Sequence, residues 1–545
     1  MHPRHIPMVL ALIVAAALSA GRARADDSTT TPTLTIRIRS IDGLLDDVKY
    51  ISTLGGRDKE AKQLDDVIKK NFPKGLVGID TKRPLGLYGK IDENLMDSWA
   101  VVMIPVADEK AILGLLESVH FKATKEDDDV YVVNADNVPP VYFRFANKYA
   151  YVTARDKGPI ASNKLTPPAR FFADPLAETF AASFRIDQIP DVYKQIILGQ
   201  AELRVTAAAE EKQSGETAEQ HAARKAGAAK AAELASSVIK EGAEIRVRLN
   251  VDRKAEKLLA EVALSGKSGS PLANSIAAIG KTASIFGGLV GEDSALSFVG
   301  HGALPGGLRT TVSSALIEHV RTALAKEADK AKRAAGEKLL EAITPTLKMG
   351  ELDLGATLVG PTPENHYAFV AGLKLKDGMK LQQTLRDLLK ELPEPDRSKI
   401  TLDAEAVGDV KIARIDKPDL DENARKNLGD HPAYVAFRDD AVFLAGGEGG
   451  LAAIKRAVEA KPKAAPLVQI EMSATRMAPL IAAAAEKKTK GKAAAIVSQA
   501  FGSAKDNDKI HVTLEGGDAL TLRFAMGAPV LKFFQMMDKQ NKESK

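Results

Sequence analysis

The residues able to do chemistry are present in this chain, but their spacing does not assemble them. The nine histidines stand at His2, His5, His120, His221, His301, His319, His366, His431 and His511. Two imidazoles can share a metal from one helix only when they lie on one face, as in HExxH, and no such pair occurs. Glu318 and His319 are adjacent, so a helix would point them in different directions. Single surface histidines are therefore expected, with no metal and no cofactor. There is no cysteine, which excludes disulfides, thiolate zinc sites and cysteine nucleophiles.

The remaining motifs are incomplete. Gly266-Lys267-Ser268 and Gly280-Lys281-Thr282 end like a phosphate loop, which needs a further glycine five residues before the Gly-Lys pair. Those positions hold Glu261 and Ser275. Gly446–Gly450, GGEGG, lacks both the glycine spacing and a lysine, and reads as a turn from strand to helix. Ser237 and Lys240 fit the SxxK pattern of serine acyl-enzymes without its partner motifs, and there is no GxSxG. The acid run Glu126–Asp129 lacks calcium-loop spacing and reads as a solvated turn. No catalytic residue is assigned.

The elements that would position a site occur twice. Trp99–Val119 and Tyr367–Leu389 each give an aromatic-headed apolar strand, a turn at Asp108 or Asp377, and an amphipathic helix. Around them the same order recurs. Strands at Leu34–Arg39 and Leu296–Val299 open each copy. Meanders follow at Val130–Thr153 and Val410–Ala445. Strands at Phe180 and Val468 lead into helices, and hairpins from Ile245 and Ile510 close each copy. Trp99 and Tyr367 are 268 residues apart, and Ile245 and Ile510 are 265 apart. Asp419–His431 is an insertion in the second copy. The expected fold class is α+β, a tandem duplication of a domain made of an antiparallel sheet plus helices. Its parts are a first domain at 26–283, a Gly-rich linker at 284–293 and a second domain at 294–545. Helices are expected over Ile41–Leu54, with Leu44, Leu45, Val48 and Ile51 inward, and over Lys59–Phe72. Aromatics make up only 5% of the chain. The cores should therefore be mostly Ala, Leu, Val and Ile.

Met1–Ala25 has the form of a secretory signal peptide. It has a short basic start, an apolar run from Ile6 to Ala20, and Ala23-Arg24-Ala25 as the cleavage pattern. A secreted or periplasmic protein is expected, with no transmembrane segment after cleavage. The chain carries a net charge of +4. Arg4, Arg22 and Arg24 lie in the leader without any acid, so the remainder carries +1. That balance argues against a nucleic-acid partner, which requires a basic face. The stretches Ile79–Gly89 (IDTKRPLGLYG) and Trp99–Glu117 (WAVVMIPVADEKAILGLLE) resemble a group of uncharacterised secreted bacterial proteins built from duplicated α+β units. The resemblance implies compartment and architecture, and no activity.

These observations favour a non-enzymatic envelope protein that binds a ligand, an apolar one first, or a protein partner. The expected ligand space lies between sheet and helix, at Leu113, Leu116 and Phe143 and their second-copy counterparts. One alternative is an interaction protein docking through the Ala/Glu/Lys-rich helices Ala201–Lys240 and Val312–Ile343. A hydrolase with an unrecognised site is the weaker alternative.

Overall fold

The computed structural model describes residues 31–544 except 55–56, 58–61, 64, 67–68, 71–74, 119, 136–137, 173–177, 212–215, 292, 304–305, 392–393, 419, 490–491 and 502–506. The expected leader Met1–Ala25 and most of the helix expected over Lys59–Phe72 lie outside the described residues. No helix among the described residues is long and apolar enough to cross a membrane.

The chain forms two compact units. The first contains residues up to Gly199 together with Val238–Ala273 and Gly527–Met536. The second contains Gln200–Ser237, Asn274–Met526 and Met537 onward. The division therefore does not fall at 283. Contacts between segments distant in sequence set this division, and sequence order does not show them.

The strands of the first unit are β1 (Leu34–Ile38), β2 (Leu85–Lys90), β3 (Trp99–Pro105), β4 (Ala123–Lys125), β5 (Val130–Ala135), β6 (Val138–Ala146), β7 (Tyr149–Ala154), β8 (Phe180–Arg185), β9 (Gly242–Asp252) and β10 (Lys257–Gly266). They pair in the order β4-β5-β6-β7-β3-β2-β1-β8-β9-β10, antiparallel throughout. Helices α1 (Ile41–Leu54) and α2 (Glu109–Ser118) follow β1 and β3. The helices α3 (Asp191–Glu210), α4 (Ala218–Glu241) and α5 (Pro271–Ile279) complete this half of the chain.

The second sheet is built from β11 (Ser294–Ala303), β12 (Glu351–Val359), β13 (Ala368–Lys374), β14 (Ile400–Val407), β15 (Val410–Ile415), β16 (Ala433–Arg438), β17 (Ala441–Gly447), β18 (Val468–Ser473), β19 (Lys509–Glu515) and β20 (Leu520–Gly527). Its order is β14-β15-β16-β17-β13-β12-β11-β18-β19-β20, also antiparallel throughout. Strand for strand, this is the order of the first sheet. The fold is α+β, as the mixture of alternating strands and amphipathic helices implies. The pairing register sets Ser98, not Trp99, against Tyr367, because Gly86 lies opposite Met103 while Gly355 lies opposite Gly372. Matching the two aromatic heads misaligns the two sheets by one residue, which in a strand exchanges the faces.

The helices of this half are α6 (Gly306–Ala325), α7 (Lys330–Met349), α8 (Gly378–Glu391), α9 (Glu422–Leu428), α10 (Gly450–Glu459), α11 (Ala474–Thr489), α12 (Ala493–Phe501) and α13 (Ala528–Ser544). Helix α10 buries Ala453, Ile454, Ala457 and Val458, a stripe of helical spacing, against Ile412, Tyr434, Ala436, Phe443 and Ala445 of the sheet. This core is rich in alanine, as the composition implies. The first unit's core is not, with Tyr88, Tyr149, Tyr151 and Phe172 beside Val101, Met103, Val130 and Ile160. The few aromatics are concentrated because Tyr149 and Tyr151 alternate onto one face of β7. Their hydroxyls donate to the carbonyls of Pro84 and Thr166.

The start of the segment expected as a linker is core. Ser284, Ile285 and Phe286 are buried, and Phe286 is fully enclosed. The Ser284 hydroxyl and the Ile285 N–H both donate to the Asp353 carboxylate, at 2.6 and 2.8 Å. Gly287, Gly288 and Gly291 suggested flexibility, but the apolar pair before them is what the sheet receives.

A second buried acid starts helix α11. Asp508 accepts hydrogen bonds from the Ser473 hydroxyl and the Thr475 N–H, and Ser473 Oγ accepts from the Arg476 N–H. Burial works against the charge of Asp508, but these hydrogen bonds outweigh it and hold the carboxyl below the usual carboxylate range. A depressed folded-state pKa contributes stability that is present above the unfolded value of about 3.9. It is lost as pH falls through the folded value. Asp508→Asn is expected to flatten the fall of the urea midpoint below about pH 4. An unchanged slope would remove Asp508 from the acid response.

Candidate functional site

The second unit has an apolar cleft of about 170 Å³ between α8 and the sheet. Helix α8 contributes Gln382, Leu385, Arg386 and Leu389, at the i, i+3, i+4, i+7 spacing of one helix face. The strands contribute Ile400 and Leu402 of β14, Ala413 and Ile415 of β15, and Val435 and Phe437 of β16. Each pair is two residues apart and so shares one face of its strand. Polar groups stand with this lining: Arg386 is paired with Asp403.

The pairing register relates this lining to positions in the first unit. In the first unit Leu113 and Leu116 are half-buried on α2, and Phe143 is buried on β6. The register and the Asp108/Asp377 turn set Leu113 with Gln382, Leu116 with Leu385, and Phe143 with Val435. All three counterparts line the cleft. In the first unit Phe143 stacks on Tyr131 at 5.2 Å and meets Phe145 edge-on at 5.5 Å. The second unit has Ala413, Val435 and Phe437 at those positions. Two aromatic rings are thus replaced by an alanine and a valine, and shrinking side chains on a fixed scaffold leaves space.

The first unit has a larger polar cleft of about 490 Å³, lined by Arg39, Asp42, Asp46, Lys82, Asp252, Arg253 and Lys254 among others. Its cations are largely matched by acids. Arg39 pairs with the buried Asp47 at 2.9 Å, and Arg253 lies 3.2 Å from both Asp46 and Asp47. A lining balanced in this way has no strong preference for an anion.

The incomplete motifs have structural roles. A side chain at Gly266 or Gly280 would strike the backbone of Ala273 or Gly516, so those glycines permit close packing. Ser237 and Lys240 lie on α4, with Lys240 exposed. Glu126 and Asp129 pair with Lys157 and Lys125 at 2.9 and 2.7 Å. The stretch Ala201–Lys240 is two helices, and Arg224 of the second ties back to the end of the first. Its guanidinium donates to the carbonyls of Ala208 and Glu211 and to Glu216.

The histidines are not all solitary. One ring nitrogen from each of His366 and His431 and one oxygen of Glu448 lie within 4.8 Å of one another. Motif spacing missed this group because 65 and 17 residues separate its members. The strand order assembles it. Strand β17 runs between β13 and β16, antiparallel to both. Glu448, one residue past the end of β17, therefore meets His366 and His431, each two residues before its own strand.

No protein-family model matches this chain, and no curated protein or solved structure matches it either.

Proposed function

We propose that the protein is an exported, non-enzymatic ligand-binding protein of the cell envelope that holds an apolar group in the cleft between α8 and β14–β16. One observation carries this proposal: an apolar space of about 170 Å³ at the position equivalent to Leu113, Leu116 and Phe143. Two similar units without a catalytic motif support it. We read the matching strand orders as a tandem duplication in which one copy kept its aromatic filling and the other lost it. The size of the space indicates the guest. An apolar cavity of about 150 Å³ lined by Leu, Ile and Phe stays dry and accepts benzene. The ligand is thus a single ring, or the end of a short acyl chain.

The test uses toluene as probe and the methyl NMR signals of Leu385, Leu389, Ile400, Ile415 and Val435 as reporters. Saturable shifts confined to these methyls are expected. The double variant Ala413→Tyr/Val435→Phe restores the first unit's side chains and is expected to weaken binding at least tenfold while the protein remains folded. Toluene shifts that are absent, or that survive this refilling, would rule the cleft out. Native mass spectrometry of envelope-purified protein, followed by organic extraction, would identify the natural guest.

A further inference from the structure

We propose that His366, His431 and Glu448 form a binding site for one divalent transition-metal ion, with zinc as the working probe. The site lies at one end of the second sheet and shares no residue with the apolar cleft.

The donor set fits the ion. Two imidazoles and a carboxylate are ligands for zinc and its borderline neighbours, whereas calcium and magnesium prefer all-oxygen sets. The separations are also close to those needed. Zinc bound at about 2.0–2.1 Å to each ligand holds tetrahedral donors roughly 3.3 Å apart. His366 Nδ1 and Glu448 Oε2 already lie 3.1 Å apart. The widest separation in the group, up to 4.8 Å, needs to close by roughly 1.5 Å. His366 and Glu448 are about one-third exposed, and His431 is half-buried, so an ion can enter from solvent.

The surroundings hold the three side chains together. The Thr362 hydroxyl donates to Glu448 Oε2 at 3.0 Å and accepts the His366 N–H at 3.2 Å, an outer-layer contact that orients a ligating carboxylate. Glu448 sits between Gly447 and Gly449, both at positive φ (87° and 89°). A side chain at Gly447 would come within 2.1 Å of the Tyr367 carbonyl oxygen, so glycine lets this turn press against the His366 segment. Gly429, at φ 73°, ends α9. A Cβ there would lie 2.8 Å from His431 Cδ2 and 3.1 Å from His366 Nδ1, so only glycine leaves both rings room to approach. The Tyr367 N–H donates to the Asn427 carbonyl at 2.8 Å, which fixes the segment carrying His431 to the strand that follows His366.

That segment belongs to the insertion at 419–431, most of which has no counterpart in the first unit. The positions equivalent to His366, His431 and Glu448 there are Asp97, Pro139 and Asp156, so the site belongs to the second unit alone. Three protein ligands leave the fourth position of a tetrahedral ion for water or for an oxygen or nitrogen donor of a guest.

The experiment is a calorimetric titration of the full-length chain with Zn²⁺, run beside the His431→Ala, His431→Asn and Glu448→Gln variants. One high-affinity equivalent is expected in the parent, weakened at least tenfold in each variant. Cobalt is the second probe. A tetrahedral-type visible absorption is expected in the parent and should be absent from His431→Ala. Circular dichroism and the urea midpoint check folding, and the conservative His431→Asn decides the outcome if the alanine variant is unstable. Zinc binding unchanged by all three substitutions, or a parent without a strong site, would overturn the proposal and leave His366–Glu448 as a local ion pair.

Discussion

Phe286→Ala is expected to lower the stability of the protein by about 3–5 kcal/mol, the range for removing a buried aromatic ring whose cavity cannot collapse. The ring is fully enclosed and meets Phe443 edge-on at 5.8 Å. It rests in a notch formed by Gly355 and Gly372, which are cross-strand partners on β12 and β13. A Cβ on Gly355 would come 2.5 Å from Phe286 Cβ, and one on Gly372 would come 2.2 Å from Phe286 Cε1. Neither strand can move inward to fill the space, because each is hydrogen-bonded on both sides. The converse change, Gly372→Ala, is expected to cost about 1–3 kcal/mol through overpacking. In the double variant the new methyl occupies space vacated by the ring. The two costs should then fall short of their sum by at least about 1 kcal/mol, since contacting residues are not additive. Urea midpoints of the four proteins measure this directly. Strict additivity, or a Phe286→Ala cost below about 1 kcal/mol, would show that 284–286 is a peripheral strap.

The second large effect concerns Asp47 of α1. Its side chain is 2% exposed. Oδ2 accepts from the Thr179 hydroxyl at 2.7 Å and from Arg39 at 2.9 Å. Oδ1 lies 3.2 Å from Arg253 Nε, in ion-pair range but without hydrogen-bond geometry. One carboxylate thus ties α1 to the loop before β8 and to the turn between β9 and β10. Breaking a buried pair by removing one partner costs about 3–5 kcal/mol when the other charge is left in the interior. Here Arg39 and Arg253 are 33% and 43% exposed and can rehydrate. The low end, about 3 kcal/mol, is therefore expected for Asp47→Ala. Asp47→Asn should recover part of it, because an amide oxygen can still accept from Thr179. Thermal and urea unfolding of both variants provide the check. Equal losses in the two would mean that charge alone matters, and no loss would remove Asp47 from the fold's support.

Both predictions concern positions where pattern and structure part. In α1 the apolar spacing of Leu44, Leu45, Val48 and Ile51 predicts the inward stripe. The structure exposes Val48 at 41% and buries Asp47 instead. Period alone gives an approximate face, and the acid is accepted because two arginines and a threonine from distant segments meet it. Strand β12 shows the same effect. Its leucines at 352, 354 and 358 mark the apparent apolar face. The buried residues are Asp353, Gly355 and Thr357, while Leu352 is 49% exposed. Asp353 is matched by Ser284 and Ile285, and Thr357 donates to Ser294 at 2.9 Å. A buried polar side chain is tolerated when its partners are in place, and sequence spacing does not show partners.

The sequence by itself determined the local elements and their order. The strands at 99–105 and 368–374, the amphipathic helices after them and the closing hairpins follow from residue period and turn chemistry, which act over a few residues. The α+β class follows from their succession. Tertiary structure alone decided what depends on meetings between distant residues. It set the register that separates Trp99 from Tyr367, drew Phe286 into the glycine notch, and moved the division of the chain away from 283. It also brought His366, His431 and Glu448 within 4.8 Å of one another. Each of these depends on which strands become neighbours and on the volume left between them. Those quantities come from packing the whole chain, and no stretch of a few residues contains them.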